Sequence, residues 1–214
     1  MLDKLYIFGG YDNKLKITIV NVDAESGLSN LQPELNPRSD WTIVSRNNSI
    51  YILGGSAHGQ CLSRCERFDL ADNRIVNLPD LPSKRQGSSA LDIPDKGVLL
   101  VGGCQLANQK FPALRNVEML VEDGNSESEW KWIHVTPMLE ERYRPGIELF
   151  NEYLIVAGGN LNFTVECLHH REIGQAEAQW TRLNGLSDSG SKITSLTTFN
   201  NKLLLLRKLA YLFT

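Results

Sequence analysis

The feature that most constrains the fold is a short apolar run that ends in two glycines and occurs four times. The four runs occupy residues 5–10, 50–55, 98–103 and 153–159, and their first glycines lie 45, 48 and 56 residues apart. Each run is too short for a helix and is rich in β-branched, leucine or aromatic residues, which predicts a buried strand. Repetition at this period predicts units that bury their cores against their neighbours.

Each repeat also carries the signals of a β-meander. A polar turn precedes every run, at residues 3–4, 47–48, 95–97 and 151–152, and three of these turns follow another strand-like stretch, which predicts a hairpin. After the glycines come a loop of variable length, a third strand-like stretch at 65–69, 116–120 and 164–168, and a fourth with two apolar anchors. The sequence therefore predicts four-stranded antiparallel units of about 45 to 55 residues.

Three arginines repeat in register with the glycine pairs. Arg38, Arg85 and Arg142 lie 16, 17 and 16 residues before the first glycine of the next pair. An arginine can donate hydrogen bonds to carbonyls between units while its stem lies on apolar surface. We therefore expect these three side chains to be structural.

The pattern resembles the kelch repeat of β-propellers, and the clearest match is residues 132–143, with Trp132, a Pro-Met pair and Arg142 at the expected spacing. Leu28 and Ile75 replace the tryptophan in the first two units, and the fourth keeps Trp180 but lacks the arginine. The resemblance implies blades in which a tryptophan fills the wedge between neighbours. It assigns structural roles to Gly9, Gly10, Gly54, Gly55, Gly102, Gly103, Gly158, Gly159, Arg38, Arg85, Arg142, Trp132 and Trp180.

The expected organisation is an all-β arc of three complete and two partial blades. We place a partial blade at residues 1–39, complete blades at 40–87, 88–144 and 145–190, and a second partial blade at 191–214. Kelch propellers close with about six blades, which needs on the order of 280 residues at this repeat length. We therefore expect a propeller fragment that does not close as a ring alone.

The resemblance also implies where a ligand would bind. Kelch propellers meet their ligands through the loops that follow the glycine pairs and through the links into the next blade. Arg144 falls where some members of the family hold acidic peptides, and an exposed Phe111 suits a partner contact. The predicted partner-binding residues are Tyr11, Asn13, Ser56, His58, Gln86, Ser88, Phe111, Arg144 and Asn160.

The predicted function is protein–protein interaction, without catalysis. The commonest context of the resemblance implies the substrate-recognition propeller of a BTB-kelch adaptor for a cullin-type E3 ubiquitin ligase, with the cullin bound through other domains. An actin-binding cytoskeletal protein is the first alternative, and a kelch-type enzyme such as a sugar epimerase is the second. The last predicts a polar pocket of acids, histidine or tyrosine on the axis.

Composition and charge exclude other classes of protein. The net charge of −3 and the lack of a Lys/Arg cluster argue against nucleic acid as a partner, and no apolar stretch is long enough for a membrane span. Four cysteines without a secretory signal predict reduced thiols in a cytoplasmic protein. No metal-ligand spacing or nucleophile motif appears, so we expect no catalytic residue, metal or cofactor. His169 and His170, as neighbours on a strand, are expected to point to opposite faces.

Overall fold

A computed structural model describes residues 4–8, 17–21, 28–31, 37–106, 110–124, 130–159, 163–184 and 192–208. Its described part is built of antiparallel β-sheets. The N-terminal sheet has three strands in the order β1-β2-β3. These strands are β1 (Lys4–Phe8), β2 (Ile17–Asn21) and β3 (Leu28–Leu31).

Three four-stranded meanders follow, which we call the first, second and third blades. The first blade contains β4 (Thr42–Arg46) and β5 (Ser49–Leu53), then a small hairpin of β6 (Ser56–Ala57) and β7 (Gln60–Cys61), then β8 (Cys65–Asp69) and β9 (Arg74–Leu78). The second contains β10 (Ser89–Ile93), β11 (Gly97–Val101), β12 (Val117–Glu122) and β13 (Trp130–Val135). The third contains β14 (Gly146–Phe150), β15 (Tyr153–Ala157), β16 (Val165–His169) and β17 (Thr181–Leu183).

A C-terminal hairpin of β18 (Lys192–Phe199) and β19 (Lys202–Lys208) ends the described chain. The predicted all-β fold of antiparallel four-stranded units is therefore confirmed, and no sheet among the described strands closes on itself. No helix in the described ranges is long and apolar enough to cross a membrane.

The first strand of each unit lies innermost in the arc. Strand β4 contacts β10, β10 contacts β14, and β14 contacts β18, so the units are arranged in order around an axis. Side chains of a strand alternate between two faces, and each blade therefore presents one apolar face to each neighbour. Tyr51 and Leu53 of the first blade pack with Val98 and Leu100 of the second.

The alternation of side chains along the strands also forms the interface between the second and third blades and the interface between the third blade and the C-terminal hairpin. Leu99 and Val101 of the second blade share a buried cluster with Leu154 and Val156 of the third. Ile155, on the opposite face of β15, packs with residues of the C-terminal hairpin. The core of this protein therefore lies between its blades.

Two tryptophans fix the outer parts of these interfaces. Trp132 of the second blade packs against the cluster it shares with the first blade, and its indole N–H donates to the carbonyl of Pro79 at 2.9 Å. Trp180 of the third blade is buried and donates in the same way to the carbonyl of Thr136, also at 2.9 Å. Each tryptophan thus combines apolar burial with a hydrogen bond to the preceding blade.

The glycine pairs sit where two blades come closest. Gly102 has φ of +62°, and a Cβ built there would lie 2.4 Å from the carbonyl oxygen of Arg142. The next residue, Gly103, donates its backbone N–H to that same carbonyl at 2.8 Å. Glycine is required here by both the left-handed backbone and the close approach.

The prediction for His169 and His170 is wrong. Their rings stack, with centroids 5.2 Å apart and planes inclined by 22°. Strand β16 ends at His169, and His170 begins a short 3₁₀ helix, His170–Glu172, so the alternation of a strand no longer applies.

A lysine joins the second and third blades at the end opposite the glycine pairs. Lys96, in the β10–β11 turn, donates through Nζ to the carbonyls of His170, Arg171 and Ile173 at 3.0, 3.2 and 2.9 Å. These carbonyls belong to the 3₁₀ turn and the residue after it.

Replacing Lys96 by methionine is expected to lower the free energy of unfolding by about 1 to 2 kcal/mol, because charge-assisted hydrogen bonds to three carbonyls are lost. Equilibrium urea unfolding measures this change. Lys131→Met is the control, since Lys131 makes an exposed ion pair with Asp123 and its loss is expected to cost under about 1 kcal/mol. Equal effects of the two changes would contradict the role given to Lys96.

Candidate binding face

The loops after the glycine pairs and the links between blades meet at one end of the arc, which we call the loop face. Backbone bridges join the two kinds of loop: Ser39 pairs with Ser56, Gln86 with Cys104, and Leu114 with Arg142. Because each link pairs with the loop of a glycine pair, the face is held by main-chain hydrogen bonds rather than by side chains alone.

Three buried Arg–Glu pairs lie beneath this face, one for each complete blade. Arg38 pairs with Glu66, Arg85 with Glu118 at 2.7 Å, and Arg142 with Glu166 at 2.8 Å, all with side chains at most 1% exposed. The repeat spacing indicates the arginines but not the glutamates. A glutamate near the start of each apolar third strand was the available signal.

The arginines of these pairs are also bound to main-chain carbonyls. Arg142 donates through Nη1 to the carbonyls of Gly158 and Thr164, at 2.8 and 3.0 Å. Burial lowers the pKa of all three arginines, and that of Arg38 falls to about 10. For Arg85 and Arg142, loss of hydration outweighs the attraction of Glu118 and Glu166, as expected for ion pairs in a core. These arginines are held in place by the fold and face no solvent.

A cavity of about 540 Å³ opens on the first blade beside the Arg38–Glu66 pair. It contains two of the predicted binding residues, Ser56 and His58. The Ser56 hydroxyl lies 3.1 Å from that of Ser39, and His58 is exposed. Arg64 also lines the cavity, and its half-exposed guanidinium pairs with Glu66 at 2.6 Å. The cavity therefore offers hydroxyls and a cationic group to a ligand.

A main-chain row crosses the loop face from the first blade to the third. Asp40, Gly87 and Arg144 each follow a structural arginine by two residues, and their φ angles are +51°, +62° and +55°. The N–H of Gly87 donates to the carbonyl of Asp40 at 2.9 Å, and the N–H of Arg144 donates to the carbonyl of Gly87 at 2.8 Å. Equivalent residues of three successive units are thus linked directly.

The side chains at the two ends of this row meet. The guanidinium of Arg144 pairs with the carboxylate of Asp40, and it lies over the ring of Tyr143, 5.0 Å from the centroid. The hydroxyl of Tyr143 donates to the other carboxylate oxygen of Asp40 at 3.3 Å. The ring of Tyr143 rests against Gly87, where a Cβ would lie 2.1 Å from it.

Electrostatics of this cluster favour the charged arginine. Burial alone lowers the pKa of Arg144, but the hydrogen bond and the charge of Asp40 outweigh it and raise the pKa above its ordinary value. Burial, followed by the charge of Asp40, raises the pKa of Tyr143. Around neutral pH the cluster is therefore a guanidinium and a neutral phenol.

A second cavity, of about 320 Å³, adjoins the row, and we call it the axial cavity. Trp41, Ser88 and Pro145, which follow Asp40, Gly87 and Arg144 in the chain, belong to its lining together with the first residues of the inner strands. The hydroxyls of Ser88 and Ser89 donate to the carbonyls of Gly102 and Pro145. The lining exposes more polar than apolar surface and includes the side chains of Thr42, Ser88 and Ser89.

The predicted binding residues are distributed over both cavities. His58 lines the first-blade cavity, Ser88 lines the axial cavity, and Arg144 precedes Pro145 of the axial-cavity lining. The amide nitrogen of Gln86 lies 3.7 Å from Sγ of Cys104, and Phe111 is 48% exposed. Binding by these residues stays a prediction. Tyr11, Asn13, Asn160, Gly9 and Gly10 lie outside the described residues.

The four cysteines are free thiols and are buried. Burial raises the pKa of Cys65 to about 12 and also raises the pKa values of Cys61, Cys104 and Cys167. A thiol with a raised pKa is a poor nucleophile at neutral pH, because the thiolate is the reactive form. Within the described ranges, no three His, Cys, Asp or Glu side chains are grouped to hold a metal ion.

Comparison with known proteins identifies a kelch motif at residues 37–82, which contain the whole first blade. The solved structure titled "Structure of YjhT" is similar to this chain with a TM-score of 0.66 and 12% sequence identity, covering 96% of this chain and 72% of that one. Similarity at this level of identity shows the fold alone. Comparison with curated proteins gave no match.

The motif and the fold together indicate a class: the described strands resemble a fragment of a kelch-type β-propeller. Kelch repeats generally mediate protein–protein interactions, and this is the function that the class supports.

Proposed function

We propose that this chain is a non-catalytic interaction module whose loop face binds an acidic segment of a partner protein. Arg144 is the observation that carries the proposal. Its side chain is 59% exposed on the loop face and lies over the ring of Tyr143, and the next residue, Pro145, lines the axial cavity. A guanidinium binds a carboxylate through two parallel hydrogen bonds, which suits it to an aspartate or glutamate side chain.

The first-blade cavity supports a second contact for the same partner. Ser56, His58 and Arg64 present a hydroxyl, an imidazole and a guanidinium there. Asp40 lies beside Ser39, which lines this cavity, so the cavity and the Arg144 cluster are neighbours on one face. An extended peptide that crosses the face could place one acidic side chain at each position.

Selection from a phage-displayed library of random heptapeptides tests the proposal. We expect the selected peptides to share an aspartate or glutamate, and Arg144→Ala to weaken their binding by about tenfold or more, as for loss of a charge-assisted pair. Arg182→Ala is the matched control, because Arg182 is also an exposed, ion-paired arginine but lies on the outermost strand β17. Peptides without an acidic residue, or equal binding by both variants, would refute the site.

We further propose that the partner is a substrate of a cullin-type E3 ubiquitin ligase for which this propeller is the receptor. The kelch motif supports the interaction role, and the adaptor role follows from the commonest context of such motifs. Affinity purification of the full product of the gene, followed by mass spectrometry, is expected to recover a cullin and one dominant protein that is lost with Arg144→Ala. Recovery of actin alone, insensitive to that change, would favour the cytoskeletal alternative.

A further inference from the structure

Asp40 and Arg144, in the main-chain row, carry side chains at positive φ angles that only glycine adopts without strain. Gly87 adopts φ of +62° at no steric cost, whereas Asp40 and Arg144 adopt φ of +51° and +55°. Aspartate tolerates this left-handed region moderately well, and arginine does so poorly. Strain of this kind persists where the side chain has a role that the surroundings enforce. The role must therefore be sought in what the side chains of Asp40 and Arg144 do.

Their side chains bind each other across the row, although they are 104 residues apart in the sequence. The Arg144 side chain is 59% exposed and that of Asp40 is 29% exposed. The Arg142–Glu166 pair beneath them is at most 1% exposed. Exposed ion pairs are weak because water competes for both charges, whereas buried ones break only at high cost. The Asp40–Arg144 pair is thus the exchangeable one.

Arg144 has supports other than the carboxylate of Asp40. Its backbone N–H donates to Gly87, and its guanidinium lies over the Tyr143 ring, which rests against Gly87. The guanidinium therefore keeps its support if the carboxylate of Asp40 rotates away into solvent.

We propose that Asp40 is an internal competitor for Arg144: its carboxylate occupies the guanidinium that an acidic side chain of the partner must bind. This inference rests on the proposed function, since it concerns regulation of the same site. A partner must displace Asp40, so the free energy of the Asp40–Arg144 pair is subtracted from the free energy of binding. The pair sets an affinity threshold that a singly charged, poorly matched ligand does not reach.

The test uses Asp40→Asn, which removes the charge, keeps the size and suits a left-handed backbone. The probe is a fluorescein-labelled, terminally blocked tetraglutamate peptide, and its affinity is measured by fluorescence anisotropy at low ionic strength. We expect Asp40→Asn to tighten binding by about fivefold, because the competing state is removed. Asp92→Asn is the control: it removes an equal charge that pairs with Arg46 near the opposite end of the inner strands.

Asp40→Asn in an Arg144→Ala background distinguishes the possible results. If Asp40→Asn no longer tightens peptide binding when Arg144 is replaced by alanine, the inference is supported. Weaker binding by Asp40→Asn, with weaker binding by Arg144→Ala, would overturn it and leave the proposed function intact, because Asp40 would then position Arg144. Unchanged binding by Arg144→Ala would refute the proposed function itself. A gain that persists in the Arg144→Ala background, or that Asp92→Asn reproduces, would be a general effect of charge and would overturn the inference.

A second measurement needs no bound peptide. Phenylglyoxal modifies accessible guanidinium groups, and mass spectrometry identifies the modified residue. Modification of Arg144 is expected to be faster in Asp40→Asn than in the unchanged protein, while Arg182 reacts equally in both. Equal rates at Arg144 would show that Asp40 does not cover it in solution, and the inference would fail.

Discussion

Replacing Arg142 by methionine is expected to lower the free energy of unfolding by about 3 to 5 kcal/mol, because it leaves Glu166 as a buried charge without its partner. The Arg142 side chain is fully buried and that of Glu166 is 1% exposed. Methionine keeps much of the volume, so the cost comes from charge and hydrogen bonding more than from a cavity. Equilibrium urea unfolding followed by circular dichroism measures the change.

A double variant separates the cost of the buried charge from the cost of the lost hydrogen bonds. Arg142→Met combined with Glu166→Met is expected to recover part of the loss, since no charge then remains buried. Recovery stays incomplete because the carbonyls of Gly158 and Thr164 lose the donor that Arg142 supplies.

Arg182→Met is the control for this series. Its ion pair with Glu140 is exposed on the outer strand, so the expected cost is about 1 kcal/mol or less. If Arg142→Met cost no more than Arg182→Met, the result would contradict the stabilising role given to the buried Arg142–Glu166 pair.

Gly102→Ala is expected to lower the free energy of unfolding by about 2 to 4 kcal/mol. This value is the sum of the cost of a left-handed backbone at alanine and the cost of a steric clash between blades. The added Cβ would lie 2.4 Å from the carbonyl oxygen of Arg142, which is main chain and itself accepts a hydrogen bond from Gly103. Relief of the clash would require the second and third blades to move apart. Thermal and urea unfolding both measure the change.

Gly59→Ala isolates the backbone contribution. Gly59 has φ of +75°, and no atom lies within 4 Å of a Cβ built there, so only conformational strain is added. We expect a cost of about 1 kcal/mol. An equal cost at Gly59 and Gly102 would mean that the glycine pairs are not sites of close approach between blades.

The strands were predictable because their signals are local. In the three blades, each glycine pair follows the second strand, and the polar turns before it, such as Asn47-Asn48 and Asn151-Glu152, mark hairpins of fixed register. The observed hairpins pair Arg46 with Ser49 and Phe150 with Tyr153, directly across these turns. The small β6–β7 hairpin was not predicted, because four residues of strand leave too weak a pattern.

The Arg–Glu pairs were not predictable from spacing. Arg38 and Glu66 are 28 residues apart, while Arg142 and Glu166 are 24 apart, because the loop after each glycine pair varies in length. The position of the glutamate is constant only when it is counted from the start of the third strand. Glu66, Glu118 and Glu166 all occupy the second residue of a third strand, at β8, β12 and β16.

The contact between Asp40 and Arg144 was not predictable from the sequence, because it depends on the tertiary structure. Asp40 and Arg144 come from units separated by a whole blade, and their contact requires the row through Gly87. The sequence indicated Arg144 by its position after Arg142, but no local pattern indicates Asp40 or the role of the Tyr143 ring. His169 and His170 were misassigned for a related reason: a strand pattern does not show where the strand stops.

Hydrogen exchange with and without a peptide selected on the loop face, followed by mass spectrometry, determines which end of the blades binds the peptide. We expect slower exchange in residues 39–40, 56–58 and 86–88 and around Arg144 when the peptide binds. We expect no change in the turns at 95–97 and 151–152, which lie at the opposite end of the blades. Protection of those turns, with none around Arg144, would contradict a binding site on the loop face.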